Sequence, residues 1–225
     1  GHGFVRYNRR WLTPAEVALE QADESWKEQQ TNWARRLKKL RSTNGREAEV
    51  LAELSQITEP AAIPSIIEIL AGEKSEEWQF VLVDILGNID ATGAWRALCD
   101  VAISHPNPST REHALVLLKQ DRIDKRSASQ YLVSKYLNSK ENEIINRAGF
   151  VLGEIGDRPT VSPLIDALVT EHIINNPLAR NPNSITPSFS SDGGIGMQQG
   201  SAQPKQLKLT KKNEAVLDAL RQLTK

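Results

Sequence analysis

Apolar residues recur along most of this chain at helical spacing, and the pattern itself repeats. In the run Val50-Leu51-Ala52-Glu53-Leu54-Ser55-Gln56-Ile57, the large apolar positions fall at i, i+1, i+4 and i+7, a single stripe on an α-helix. Leu82, Val83, Leu86 and Ile89 match it position for position. Ala114, Leu115 and Leu118 continue the series, with Asp121 where an apolar residue is expected and Ile123 as its replacement. Ala148, Gly149, Leu152 and Ile155 give a fourth copy, and Val216, Leu217, Leu220 and Leu223 a fifth. The anchors Leu54, Leu86, Leu118 and Leu152 follow at steps of 32, 32 and 34, and the step to Leu220 is 68, twice the local period. A period of this length is one helix pair.

A second apolar run follows the first within each period. Trp95, Leu98, Cys99 and Ala102 form one such run, and Val161, Leu164, Ile165 and Leu168 another. Pro60, Thr92 and Pro159 stand where these second helices start, a place where a missing proline N–H has no partner to lose. Asn107-Pro108-Ser109 and Lys140-Glu141-Asn142 mark joints between pairs. A lone pair leaves apolar surface uncovered, so the pairs are expected to stack.

Two segments lie outside the period. Residues 1–12 hold the short alternation Phe4 to Tyr7 and the turn-like Asn8-Arg9-Arg10, which predicts a small β-hairpin. Thr13-Pro14-Ala15-Glu16 is a helix start with an N-cap, a first-turn proline and a capping-box glutamate, and it opens a helix over 13–44. Trp26, Trp33, Leu37 and Leu40 share one face of it, predicted to dock on the first pair as a cap. Its acids come early and its bases late, the order the helix dipole favours. Four pairs then fill 45–173, and residues 174–209 form an Asn-, Pro- and Gly-rich insertion with few apolar residues. The insertion reads as a loop or a short β excursion, with strands at Ser184-Ile185-Thr186 and Gln206-Leu207-Lys208-Leu209. Residues 210–225 read as the first helix of a fifth pair, truncated at Lys225; the opening at Gly1 without methionine likewise reads as a boundary within a longer chain.

Leu152-Gly153-Glu154-Ile155-Gly156-Asp157, followed by Val161-Ser162-Pro163-Leu164-Ile165-Asp166-Ala167-Leu168, resembles the HEAT-like repeats of phycobilisome-lyase-type proteins. Leu86-Gly87-Asn88-Ile89-Asp90 is a looser copy. The likeness covers residues 46–172 and the helix at 212–224. The Gly3-Phe4-Val5-Arg6-Tyr7 opening, Trp11-Leu12-Thr13-Pro14-Ala15-Glu16 and the Ser191-Asp192-Gly193-Gly194-Ile195-Gly196-Met197 cluster are similar to those of bacterial HEAT-repeat proteins of unassigned function. The resemblance implies an all-α fold. Its form would be a right-handed α–α superhelix, a HEAT-like solenoid, with a small N-terminal hairpin and a long N-terminal capping helix. It implies no activity, because this repeat serves many unrelated scaffolds.

Composition narrows the function classes. Lys+Arg 28 against Asp+Glu 28 gives no net charge, so the global basic field of a dedicated nucleic-acid binder is missing. The bases Arg35, Arg36, Lys38, Lys39 and Arg41 read as a solvated helix end. The single cysteine, Cys99, excludes an internal disulfide and reads as a small core residue. His2, His105, His113 and His172 make no metal-binding spacing, and Gly153 and Gly156 read as helix-terminating glycines rather than a phosphate loop. No catalytic residue, cofactor or metal is assigned, and no run is long and apolar enough for a membrane span. The compartment, exported or cytoplasmic, stays open. Glu68, Asp100 and Asp166 occupy one slot in successive second helices and are the candidate partner-facing residues, an acidic row suited to a basic or polar partner. The expected function is a non-catalytic scaffold for a protein partner. The alternatives are nucleic-acid binding through a concave face, or an accessory region of a larger enzyme.

Overall fold

The computed structural model describes residues 3–42, 47–175, 185–189, 195–199 and 206–225. Within them the chain is mostly helical, with ten α-helices and three two-stranded sheets. No helix is long and apolar enough to cross a membrane.

The N-terminal strands β1 (Val5–Tyr7) and β2 (Arg10–Leu12) pair antiparallel through a two-residue turn. Asn8 and Arg9 both take positive φ, 47° and 66°, the geometry that matches the twist of a tight hairpin. Helix α1 (Pro14–Arg41) starts at Thr13, whose hydroxyl accepts from the Glu16 N–H while the Glu16 carboxylate accepts from the Thr13 N–H at 2.7 Å. The hairpin folds back on this helix: the Tyr7 hydroxyl donates to Glu24 at 2.7 Å and Arg10 pairs with Glu20. Only the C-terminal half of α1 packs on the body of the molecule. Leu37 is buried, Trp33 and Leu40 are partly so, but Trp26 is 42% exposed, which corrects the four-residue docking face to three. The late bases pin this half. Arg36 pairs with Glu53 at 2.6 Å and Arg41 with Glu73 at 2.7 Å, while the two guanidinium groups lie over Trp33 and Trp78.

First and second helices then alternate as the period predicts: α2 (Glu47–Ser55) and α3 (Ile63–Gly72), α4 (Glu76–Asn88) and α5 (Thr92–Ser104), α6 (Pro108–Leu118) and α7 (Lys125–Leu132). Successive first helices touch, α2 on α4 and α4 on α6; successive second helices touch, α3 on α5 and α5 on α7. The repeated stripe supplies these contacts: Val50, Leu54, Ile57, Leu82, Val83, Leu86, Ile89, Ala114, Leu115 and Leu118 are all buried. Burying one such leucine or isoleucine stabilises by roughly 1.5–3 kcal/mol. Ile123 is buried too, so it fills the position that Asp121 vacates. Leu51 and Leu217, in the outermost copies, stay about 40% exposed.

The third pair is irregular. After α7 the chain winds a π-helical turn, Val133–Leu137, before α8 (Asn142–Ile155). A π turn takes in an extra residue and widens the helix end. α8 rests on this turn and on α5, and α6 does not close on it as α4 closes on α6.

The fourth pair corrects the expected boundaries. Its second helix, α9 (Val161–Asp166), is short, and the chain becomes strand β3 (Val169–Asn175) instead of remaining helical to 173. β3 pairs along its whole length with β6 (Gln206–Lys212), so the excursion begins at 169 and returns at 212. Strands β4 (Ile185–Phe189) and β5 (Ile195–Gln199) pair antiparallel within it, extending past the short strand expected near 184–186. The cluster Ser191–Gly194 lies outside the described residues. α10 (Glu214–Leu223) then packs on α8 and α9. Gly156 ends α8 with φ 78°, as a terminating glycine should. Gly153 does something else. A Cβ there would stand 2.9 Å from the Ala219 Cβ, and one on Gly149 would stand 2.7 Å from the Val216 side chain, so both are contact points for α10.

Candidate functional site

The second helices carry a cluster built around Asp100. Its Oδ1 accepts from the Tyr131 hydroxyl at 2.8 Å, the Tyr136 hydroxyl at 2.6 Å and the Lys135 ammonium at 2.8 Å. Lys135 also donates to the Tyr131 hydroxyl at 2.8 Å. Tyr131 comes from α7, and Lys135 and Tyr136 from the π turn, so the widened helix end is what turns two successive side chains toward α5. Trp95 meets Tyr131 edge to face at 5.9 Å, and the Arg96 guanidinium lies over both rings, 5.4 and 5.5 Å from their centroids. Lys135 lies over the Tyr131 and Tyr136 rings in the same way.

Electrostatics fixes the protonation of this cluster. Burial and then the bond to Asp100 push the Tyr136 phenol up to about 12. Tyr131 is raised as well, chiefly by burial. For Lys135, burial favours the neutral form, but the bonds to Asp100 and Tyr131 outweigh it and hold the proton beyond the ordinary lysine range. The cluster is one aspartate side chain surrounded by three donors, each spoken for. Such an arrangement holds a shape and presents aromatic edges. It does not offer a free base or nucleophile.

Beside it, between α3 and α5, lies an apolar notch of about 280 Å³. The small side chains Ala71 and Ala97 leave it open, Ile67 stands 43% exposed at its lip, and Asp100 and Ser104 border it. His105 closes one end, with Nδ1 accepting from the Asn107 N–H at 3.2 Å; burial depresses its pKa.

The three sequence candidates separate here. Asp100 is half-buried and fully engaged by Lys135 and the tyrosines, so it is not a free acid. Glu68 and Asp166 are exposed, and neither has a hydrogen bond or ion pair among the described residues. Tyr131, Lys135, Tyr136, Trp95 and Arg96 were not foreseen. The available signal was the pairing Tyr131/Lys135 at i, i+4, polar and aromatic where the other repeats are aliphatic. Cys99, next to Asp100 in sequence, is buried, and burial pushes its thiol up to about 12, which suits a core residue. Among the described residues no three His, Cys, Asp or Glu side chains come together as a metal site. No protein-family model and no curated protein matches the chain.

Proposed function

We propose that the chain is a HEAT-like right-handed solenoid that serves as a non-catalytic protein-binding scaffold, receiving its partner on the face formed by the second helices. The observation that carries this reading is the juxtaposition of the apolar notch at Ile67 with the Trp95–Arg96–Tyr131–Lys135 surface. Trp, Tyr and Arg beside an apolar pocket is the composition of energetically dominant interface centres. Glu68 and Asp166, exposed and unpaired among the described residues, add acidic positions that favour a basic or polar partner. Nucleic acid is the weaker reading. Arg36 and Arg41 of the basic run are drawn into ion pairs with Glu53 and Glu73, and Lys135 is held by Asp100, so these three cations are not free for a phosphate track.

A photo-crosslinking amino acid placed at Ile67 or Arg96 tests the proposal in cells of the source organism. It should capture a discrete protein, and a probe at the exposed Glu28 of α1 should not. Combining Trp95→Ala with Glu68→Lys should reduce the captured product at least about tenfold. Equal labelling from all three positions, or a complex that nuclease dissolves, would overturn it.

A further inference from the structure

A second groove, of about 610 Å³, lies between α6 and α8. α8 sits on the π turn and on α5 and does not close on α6, and the groove lies between the two helices. Leu115 and Val151 form a buried floor. Val116 on one lip and Phe150 on the other stand 56% and 55% exposed. An apolar patch with its own cavity is the signature of an interaction surface rather than of scattered surface residues.

The charges around the groove indicate the occupant. Lys119 and Glu154 bridge it at one end, 2.5 Å apart. At the other end Arg147 pairs with Glu143, and Arg111 donates to the carbonyls of His105 and Pro106 at 2.7 and 3.0 Å. Adding Glu112, the lining has three cations and three anions, each of the cations already engaged. A strongly acidic or basic segment gains nothing from such a rim. A surface with the same balance loses nothing against it, and this chain, with 28 bases and 28 acids, has no net charge to repel a second copy. A two-fold interface also requires a projection and a recess on one patch. Phe150 is that projection, standing beside a recess large enough for a phenyl ring.

We infer that two copies associate about a two-fold axis, the Phe150 ring of each entering the α6–α8 groove of the other. The interface does not use Ile67, Trp95 or Asp100, so it stands independently of the scaffold reading. Sedimentation equilibrium of the full chain should show the mass rising from the 25.0 kDa monomer toward twice that value with concentration. The dissociation constant is expected to lie on the order of micromolar, as befits a patch of modest size. Phe150→Glu and Val116→Asp, both at exposed sites, should each raise it about thirtyfold or more with unchanged circular dichroism, whereas Ile67→Asp should leave it unchanged. Mixing a Phe150→Cys preparation with a Val116→Cys preparation should yield the crossed disulfide in preference to either self-pair. A chain that stays monomeric into the high micromolar range overturns the inference. So does a dimer indifferent to both groove substitutions, or a monomer whose position 150 is protected only by a different protein.

Discussion

At the scale of single residues, His105 shows how one buried ring can set the response of the fold to acid. It caps the end of α5 and accepts from the Asn107 N–H through Nδ1. Asn107 is in turn the N-cap of α6, its side chain accepting from the Ser109 N–H at 3.0 Å. A second proton on the ring would face the Asn107 N–H. Burial, with the nearby Arg111 adding to it, holds the folded-state pKa below the ordinary value, so the folded protein binds that proton more weakly than the unfolded chain. The sign follows from linkage. His105's contribution is fully present above the ordinary imidazole value of about 6.5 and is lost as pH falls through it toward the depressed folded value. Urea denaturation should show the wild type losing more stability between neutral and mildly acidic pH than His105→Gln does. At neutral pH, His105→Ala should lower stability by about 1–2 kcal/mol through the lost hydrogen bond and the lost packing of a buried ring. A variant with the same acid slope as the wild type would remove His105 as the cause.

Elements carry the part of the fold that was most legible. The stripe at i, i+1, i+4 and i+7 marked the first helices, and the Thr13–Glu16 start marked α1, because both depend on local geometry that the chain cannot evade. The end of α9 at Asp166 was not legible, since Leu168 kept helical spacing while the pairing that converts Val169–Asn175 into a strand comes from residues about forty positions later. The cluster around Asp100 escaped for a similar reason. The slot of Asp100 was visible, but its partners depend on a π turn whose widening no periodicity announces. Gly149 and Gly153 were half-read. Their presence in a repeat motif was evident, but their purpose, close approach of α10, needed the packing partner. Gly149→Ala tests that purpose. Helix propensity alone would favour alanine by roughly 1 kcal/mol. The new Cβ, however, would meet Val216 Cγ2 at 2.7 Å and its backbone Cα at 3.0 Å, so the whole of α10 must shift. A net loss of about 1–3 kcal/mol is expected. Adding Val216→Ala should recover only part of it, because the backbone contact remains. A stabilised Gly149→Ala protein would show that α10 does not pack as described.

At the scale of the whole molecule, the excursion between α9 and α10 raises the question of how the helical packing survives an interruption that runs from Val169 to Lys212. The answer lies in one buried side chain. Asn213 is 1% exposed and meets every demand of its amide. Its nitrogen donates to the Ala167 carbonyl and the Thr170 hydroxyl, both at 2.8 Å, and its oxygen accepts from Asn142 at 2.8 Å and Asn146 at 3.1 Å. Its backbone N–H donates to Leu168, and His172 joins the same network through Asn142. The point where the chain departs, the point where it returns and the start of α8 are thus tied at one residue, which places α10 on α8 whatever lies between. Joining Asn175 to Gln206 through an Asn-Gly turn, with residues 176–205 removed, should therefore change stability by less than about 1 kcal/mol, since closing a shorter loop costs less entropy and the β3–β6 ladder remains. Asn213→Ala leaves the excursion intact but strips four hydrogen bonds from a buried site. It should cost about 2–4 kcal/mol and detach α10 first, seen as early amide exchange at Ala219 and Leu220. If the shortened chain unfolds and Asn213→Ala does not, the excursion rather than the asparagine holds the last helix in place.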